Sequence, residues 1–140
     1  MVAQKFEWLE SFELRVPEID NDHRAILDLM RAVRSAAAHG QRNRVEHYVE
    51  RLLTLCRSHF SREEALMRRW GYPESETHAG YHNSLLERAE AVRKACGDAA
   101  SLAGFEACCD ELMTFLVDDV VRGDARLKSF LENAGLTLPA

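Results

Sequence analysis

Apolar residues along this chain recur at three- and four-residue steps, which is the period of an amphipathic helix. Pro17 opens the first such stretch at a position where its missing N–H costs little. Ile19, His23, Ile26, Leu27, Met30 and Val33 then share one face, and Gly40 is a natural stop. Asn43 and Glu46 have the spacing of a capping box for a second helix. Its inner stripe runs Val45, Val49, Leu52, Leu55, Cys56, His59, Glu63, Leu66, Met67 and Trp70, and Gly71-Tyr72-Pro73 ends it.

Ser75 is placed to cap a third helix, whose stripe holds His78, His82, Leu85, Leu86, Ala89 and Val92. Gly97-Asp98 makes the next turn. A fourth helix carries Leu102, Phe105, Cys109, Leu112, Phe115, Leu116, Asp119 and Val120, with Gly123 as an interruption. Leu127, Phe130 and Leu131 predict a short last helix reaching Gly135. No strand-like alternation of useful length appears.

Four long amphipathic helices on short connections predict an all-α fold, an antiparallel up-down-up-down four-helix bundle with a short C-terminal helix. Residues 1–15 read as an arm that packs Phe6, Trp8, Phe12 or Leu14 against the bundle of residues 16–135. The 140 residues suit a single domain with no internal repeat.

Composition narrows the function. The net charge is −5 and the basic residues are scattered, which argues against nucleic acid as a partner. No apolar run approaches the roughly 20 residues that cross a membrane. The first residues lack the apolar stretch of a signal peptide, so a cytoplasmic location is the expectation. None of the four cysteines forms a C-x-x-C pair, and all four are expected as free thiols packed in the core.

Histidine placement carries the chemistry. Four of the six histidines (His23, His59, His78 and His82) fall on apolar stripes. His78 and His82 are four apart and project from one helix face, as do His59 and Glu63. Burying such groups among leucines is costly unless something binds them, and a metal ion offsets that cost. Imidazole with carboxylate suits iron, manganese or zinc. There is no H-E-x-x-H, which excludes the zincin pattern, and no Glu-x-x-His, which excludes the ferritin-like di-iron pattern. His39 and His47 lie off these stripes and are expected at the surface. Glu64 is expected to face solvent or to pair with Arg68.

The ordered segments VPEIDNDH (residues 16–23), HFSREEALM (59–67), GYP (71–73) and HAGYH (78–82), with an acidic element ending at Asp124, resemble the hemerythrin family in its bacterial single-domain form. The resemblance spans nearly the whole chain. It implies two non-haem irons joined by an oxo or hydroxo bridge. By that resemblance His23 and His59 ligate one iron, His78 and His82 the other, and Glu63 and Asp124 bridge them. It also implies a dioxygen-binding protein, a carrier, store or sensor, with no catalytic residue apart from the metal ligands and with its protein partner unspecified.

One position departs from the family pattern. A fifth histidine is expected five residues before the bridging aspartate, and Asp119 stands there. As a ligand, Asp119 would add negative charge and favour Fe(III) over Fe(II). As a non-ligand, it would leave an open position on one metal. The second case suits a di-iron oxidase or peroxidase that consumes O2 or peroxide. A bundle that binds metal only to hold its shape for signalling is the third reading.

Overall fold

A computed structural model describes residues 13–121 and 124–137. Among these the protein is all helical. Helix α1 spans Pro17–Ala38, α2 Arg42–Trp70, α3 Ser75–Gly97, α4 Leu102–Leu116 and α5 Ala125–Asn133. A π-helical turn, Val117–Val121, continues α4. Helices α1 and α3 each pack against both α2 and α4, so the four long helices form a ring around one core. No described helix is long and apolar enough to cross a membrane. Of the N-terminal arm, Phe6, Trp8 and Phe12 lie outside the described residues, as does Gly123, while Leu14 is buried.

The helix ends follow local chemistry only in part. Gly40, Gly71 and Gly135 all adopt a left-handed φ near 69°, the conformation that closes a helix at low cost for glycine. Two expected caps are not formed. Helix α2 begins at Arg42 with Gln41 as its N-cap, and no side chain closes it, so Asn43 and Glu46 do not make a capping box. Arg42 ties this end down instead, donating to the carbonyl oxygens of Ala99 (2.9 Å) and Ser101 (3.4 Å) across the bundle. Ser75 is the first residue of α3 rather than its cap, a place Glu74 takes without a side-chain bond. The Glu74 carboxylate is committed elsewhere, to the Tyr72 hydroxyl at 3.0 Å and to Arg126 at 3.3 Å. Ser101 does cap α4, accepting from the Gly104 amide at 3.0 Å.

The apolar interior falls into two clusters. The larger runs through the body of the bundle and includes Ile26, Leu27, Met30, Phe60, Leu85 and Val120. The smaller joins Leu14, Val16, Ile19, Met67, Tyr72, Leu127 and Leu131 at one end. Asp20 anchors that end, accepting from the Leu14 and Arg15 amides at 2.8 and 2.9 Å. Between the clusters lies a polar layer. His23 follows Ile19 and precedes Ile26, Glu63 sits between Phe60 and Met67, and Asp124 between Val120 and Leu127. All three polar side chains are buried.

The cysteines correct the expectation of four free thiols. Cys96 and Cys108 form a disulfide that joins the end of α3 to α4, with Cα atoms 5.3 Å apart. Only Cys56 and Cys109 are free, both buried. Burial raises their thiol pKa values, to about 12 and about 11, which keeps them protonated and inert. The bridge closes a loop of sequence separation 12 around the Gly97 turn. Restricting a loop of that length in the unfolded chain is worth about 3 kcal/mol. Reductant is therefore expected to lower the thermal midpoint of the metal-loaded protein. Melts with and without reductant, repeated on Cys96→Ser/Cys108→Ser, check this. The double variant should melt where the reduced protein does and be insensitive to reductant.

Candidate metal centre

Four elements supply the polar layer. Helix α1 gives His23, α2 gives His59 and Glu63, α3 gives His78 and His82, and Asp124 stands at the start of α5. The four-residue spacing on α2 sets His59 Nε2 3.2 Å from Glu63 Oε2. The same spacing on α3 brings the His78 and His82 rings to 4.4 Å. Phe60 stacks flat on His82, with centroids 3.8 Å apart, and fixes that ring from the apolar side.

The donor atoms gather into two groups, each within a span of 4.8 Å. His23, His59, Glu63 and Asp124 form one; Glu63, His78, His82 and Asp124 form the other. The two carboxylates belong to both groups because each turns one oxygen to either side. Glu63 Oε2 faces His59, while Oε1 lies 3.0 Å from His78 Nε2 and 3.3 Å from His82 Nε2. Asp124 Oδ2 lies 3.2 Å from His23 Nε2, and Oδ1 lies 3.3 Å from His78 Nε2.

This layer is under-satisfied as a hydrogen-bonding network. His23 Nδ1 and Nε2, His59 Nε2, Glu63 Oε2 and Asp124 Oδ2 are buried without a hydrogen-bond partner. Each such atom costs roughly 1–3 kcal/mol in an apolar interior. Buried carboxylate oxygens and imidazole nitrogens converging on common points are what a cation would satisfy. Two imidazoles with shared carboxylates also make the mixed nitrogen and oxygen donor set that suits non-haem iron. The residues fit a metal on the geometry alone.

The charges fit as well. Burial works against a charged Glu63, but the three imidazoles around it, His59, His78 and His82, outweigh that and hold the carboxyl well below its usual range. Burial also disfavours a charged His59. The bonded Asp22 carboxylate and the nearby charge of Glu63 win and raise it to about 9. For His78 the same contest, won by Asp124 and Glu63, ends at about 10. Without metal these two imidazoles carry the protons that balance the carboxylates. Metal uptake must displace those protons.

A second set of side chains orients the first. Asp22 Oδ2 takes the His59 Nδ1 side at 3.0 Å, leaving Nε2 to face inward. Arg62 grips both oxygens of Asp22, at 2.9 and 2.8 Å. On the other side Glu64 Oε2 lies 3.0 Å from His82 Nδ1. The expected pairing of Glu64 with Arg68 is present at 4.0 Å, but the histidine contact is the closer one. His39 and His47 are exposed, as expected.

Asp119 is not brought to either group of donors. Its carboxylate is about one-third exposed (31%) and lies 3.7 Å from Arg88. Tyr81 lies close by: burial first, and then the Asp119 carboxylate, push its hydroxyl pKa up to about 12. The structure therefore gathers six of the seven residues singled out in the sequence and leaves the seventh aside.

The sequence pattern of the hemerythrin HHE cation binding domain matches residues 15–130. The chain belongs to the hemerythrin family. Its curated relatives include a bacteriohemerythrin from Stenotrophomonas maltophilia, 28% identical over 120 residues, covering 84% of this chain and 74% of that protein. A bacteriohemerythrin from Pseudomonas aeruginosa is 27% identical over 86 residues, covering 61% of this chain and 56% of its own length. The similarity reaches an animal protein, a myohemerythrin from Theromyzon tessulatum, 22% identical over 92 residues (66% of this chain, 72% of that one). Membership in this family implies non-haem iron.

For a hemerythrin-family site, the residue behind a ligand matters nearly as much as the ligand. Replacing Asp22 with asparagine removes the charge that holds His59 while sparing every candidate donor. Loss of such a partner typically weakens metal affinity about 10–100-fold. A chelator-competition titration of Asp22→Asn against the parent checks this, and equal affinities would show that His59 needs no such support.

Proposed function

We propose that this domain holds two non-haem irons, one per group of donors, and binds dioxygen reversibly as a carrier, store or sensor. What supports the reading is the doubling of the site: Glu63 and Asp124 each offer one oxygen to either pair of histidines. Held by these residues in the ferrous form, two irons would supply the two electrons that reversible uptake of dioxygen calls for.

The remaining work falls to the protein. His23, His59, His78 and His82 fix the iron pair through neutral nitrogens, with Asp22 and Glu64 holding two of the rings in register. Leu27 and Met30 follow His23 along α1 and are fully buried, as is Val117 at the start of the π turn. They belong to the apolar cluster beside the polar layer and keep water from it. The non-ligating Asp119 leaves an open position that would by itself suit an oxidase or peroxidase, but a dry wall slows the proton-assisted loss of reduced oxygen on which such turnover depends and so favours carriage.

Reversibility is the test. Ferrous protein exposed to oxygen and then purged with inert gas should gain and lose one visible absorption band over repeated cycles. A band that bleaches irreversibly with release of peroxide would replace the carrier reading with that of an oxidase or peroxidase.

A further inference from the structure

The residue that departs from the family pattern lies in the one π-helical turn among the described residues, Val117–Val121. Such turns are rare and concentrate at functional sites. This one points Val117 and Val120 into the core and leaves Asp118 and Asp119 half-buried on its outer side. Asp119 is already committed there. The Arg88 guanidinium lies 3.7 Å away, and the Tyr81 side chain feels its charge. Arg88 is itself held over the Phe115 ring, 4.3 Å from its centroid. The carboxylate is thus neutralised where it stands, with little reason to turn inward.

With Asp119 set aside, the two groups have matching protein donors, two histidines and the two shared carboxylates. A site of two histidines with carboxylate donors leaves open positions on non-haem iron. Neither half is then filled by protein. The halves differ, however, in access. His23 and His59 are sealed, at 0% and 1% exposure. His78 is 11% exposed and its neighbour Tyr81 40%.

We propose that the His78–His82 half of the site is a second binding position for a small neutral ligand of dioxygen's size, reached from solvent between Tyr81 and Asp119. This rests on the two-iron reading above. A neutral ligand fits better than an anion because Glu63 and Asp124 already bring two buried carboxylates to this half. Both halves of the site, and not one, are then available to exchangeable ligands.

Nitric oxide is a suitable probe, being neutral, diatomic and spectroscopically visible on ferrous iron. Anaerobic ferrous protein with its iron content measured beforehand is titrated to the end point. The parent and Asp119→Ala should each take up about two nitric oxide molecules per chain. Asp119→His, which supplies an imidazole at the departing position, should take up about one with its iron content unchanged. Tyr81→Ala should bind nitric oxide several-fold faster than the parent at the same stoichiometry. An uptake of about one by the parent overturns the proposal, whether or not Asp119→His folds. Iron content near one per chain before titration would instead overturn the two-iron reading on which it rests.

Discussion

Glu63→Ala is expected to empty both halves of the site at once. Glu63 is fully buried and contacts three of the four candidate histidine ligands, with Oε2 on one side and Oε1 on the other. No other α2 residue can serve both groups, since His59 belongs to only one. Losing a second-sphere partner weakens a metal site by about 10–100-fold, and losing a shared ligand should exceed that at both positions. Iron per chain, measured after reconstitution and desalting, should fall from about two to well below one. The substitution also strands imidazoles in an apolar layer, and breaking a buried charged network in this way costs about 3–5 kcal/mol. Glu63→Gln keeps the volume and separates the two effects. It should retain more stability than the alanine variant while still failing to hold iron. Normal iron content in Glu63→Gln would show that the carboxylate is not a shared ligand.

Removing the metal from the unaltered protein should have the second largest effect. A ligand that binds only the folded state stabilises it by about 4 kcal/mol when present at 1,000 times its dissociation constant. For a domain of this size that corresponds to a drop of about 10–15 °C in the thermal midpoint on chelation. The pH dependence should change as well. His59 and His78 have folded-state pKa values raised to about 9 and about 10 by their carboxylate partners. A group raised in the folded state contributes fully below its unfolded value of about 6.5, and that contribution fades as pH climbs through the folded value. Chelated protein should therefore lose stability between about pH 6.5 and 10. Metal-loaded protein, whose imidazoles are already neutral, should lack that slope. Calorimetric melts across this range, with and without chelator, read both effects, and parallel curves would mean that these histidines do not exchange protons for metal.

The bundle and most of the candidate site were legible in the sequence, and for one physical reason. Helical periodicity marks the side of each helix that faces inward, so His23, His59, Glu63, His78 and His82 declared themselves by sharing stripes with leucine and isoleucine. Asp124 was reached through the resemblance alone, because an aspartate just ahead of a short helix carries no periodic signal. What escaped were contacts made across the fold. Asp22 lies next to His23 in sequence, yet it serves His59, 37 residues away. The disulfide escaped too, because no sequence spacing shows that the end of α3 lies beside Cys108. Asn43 and Ser75 looked like caps, but Arg42 and Glu74 are engaged by distant partners, and tertiary contacts decided where α2 and α3 begin. The π turn leaves no mark in an apolar stripe that fits either helix, so the outward placement of Asp119 had to be seen rather than inferred.

One buried layer is proposed to hold two metals through Glu63 and Asp124. Iron analysis of the reconstituted protein tests it most directly, run beside His23→Ala and His78→Ala, each of which removes a donor from one side of the layer. About two irons per chain are expected in the parent and about one in each variant. A single iron in the parent, lost completely in either variant, would mean one shared metal position and would contradict the two-metal proposal.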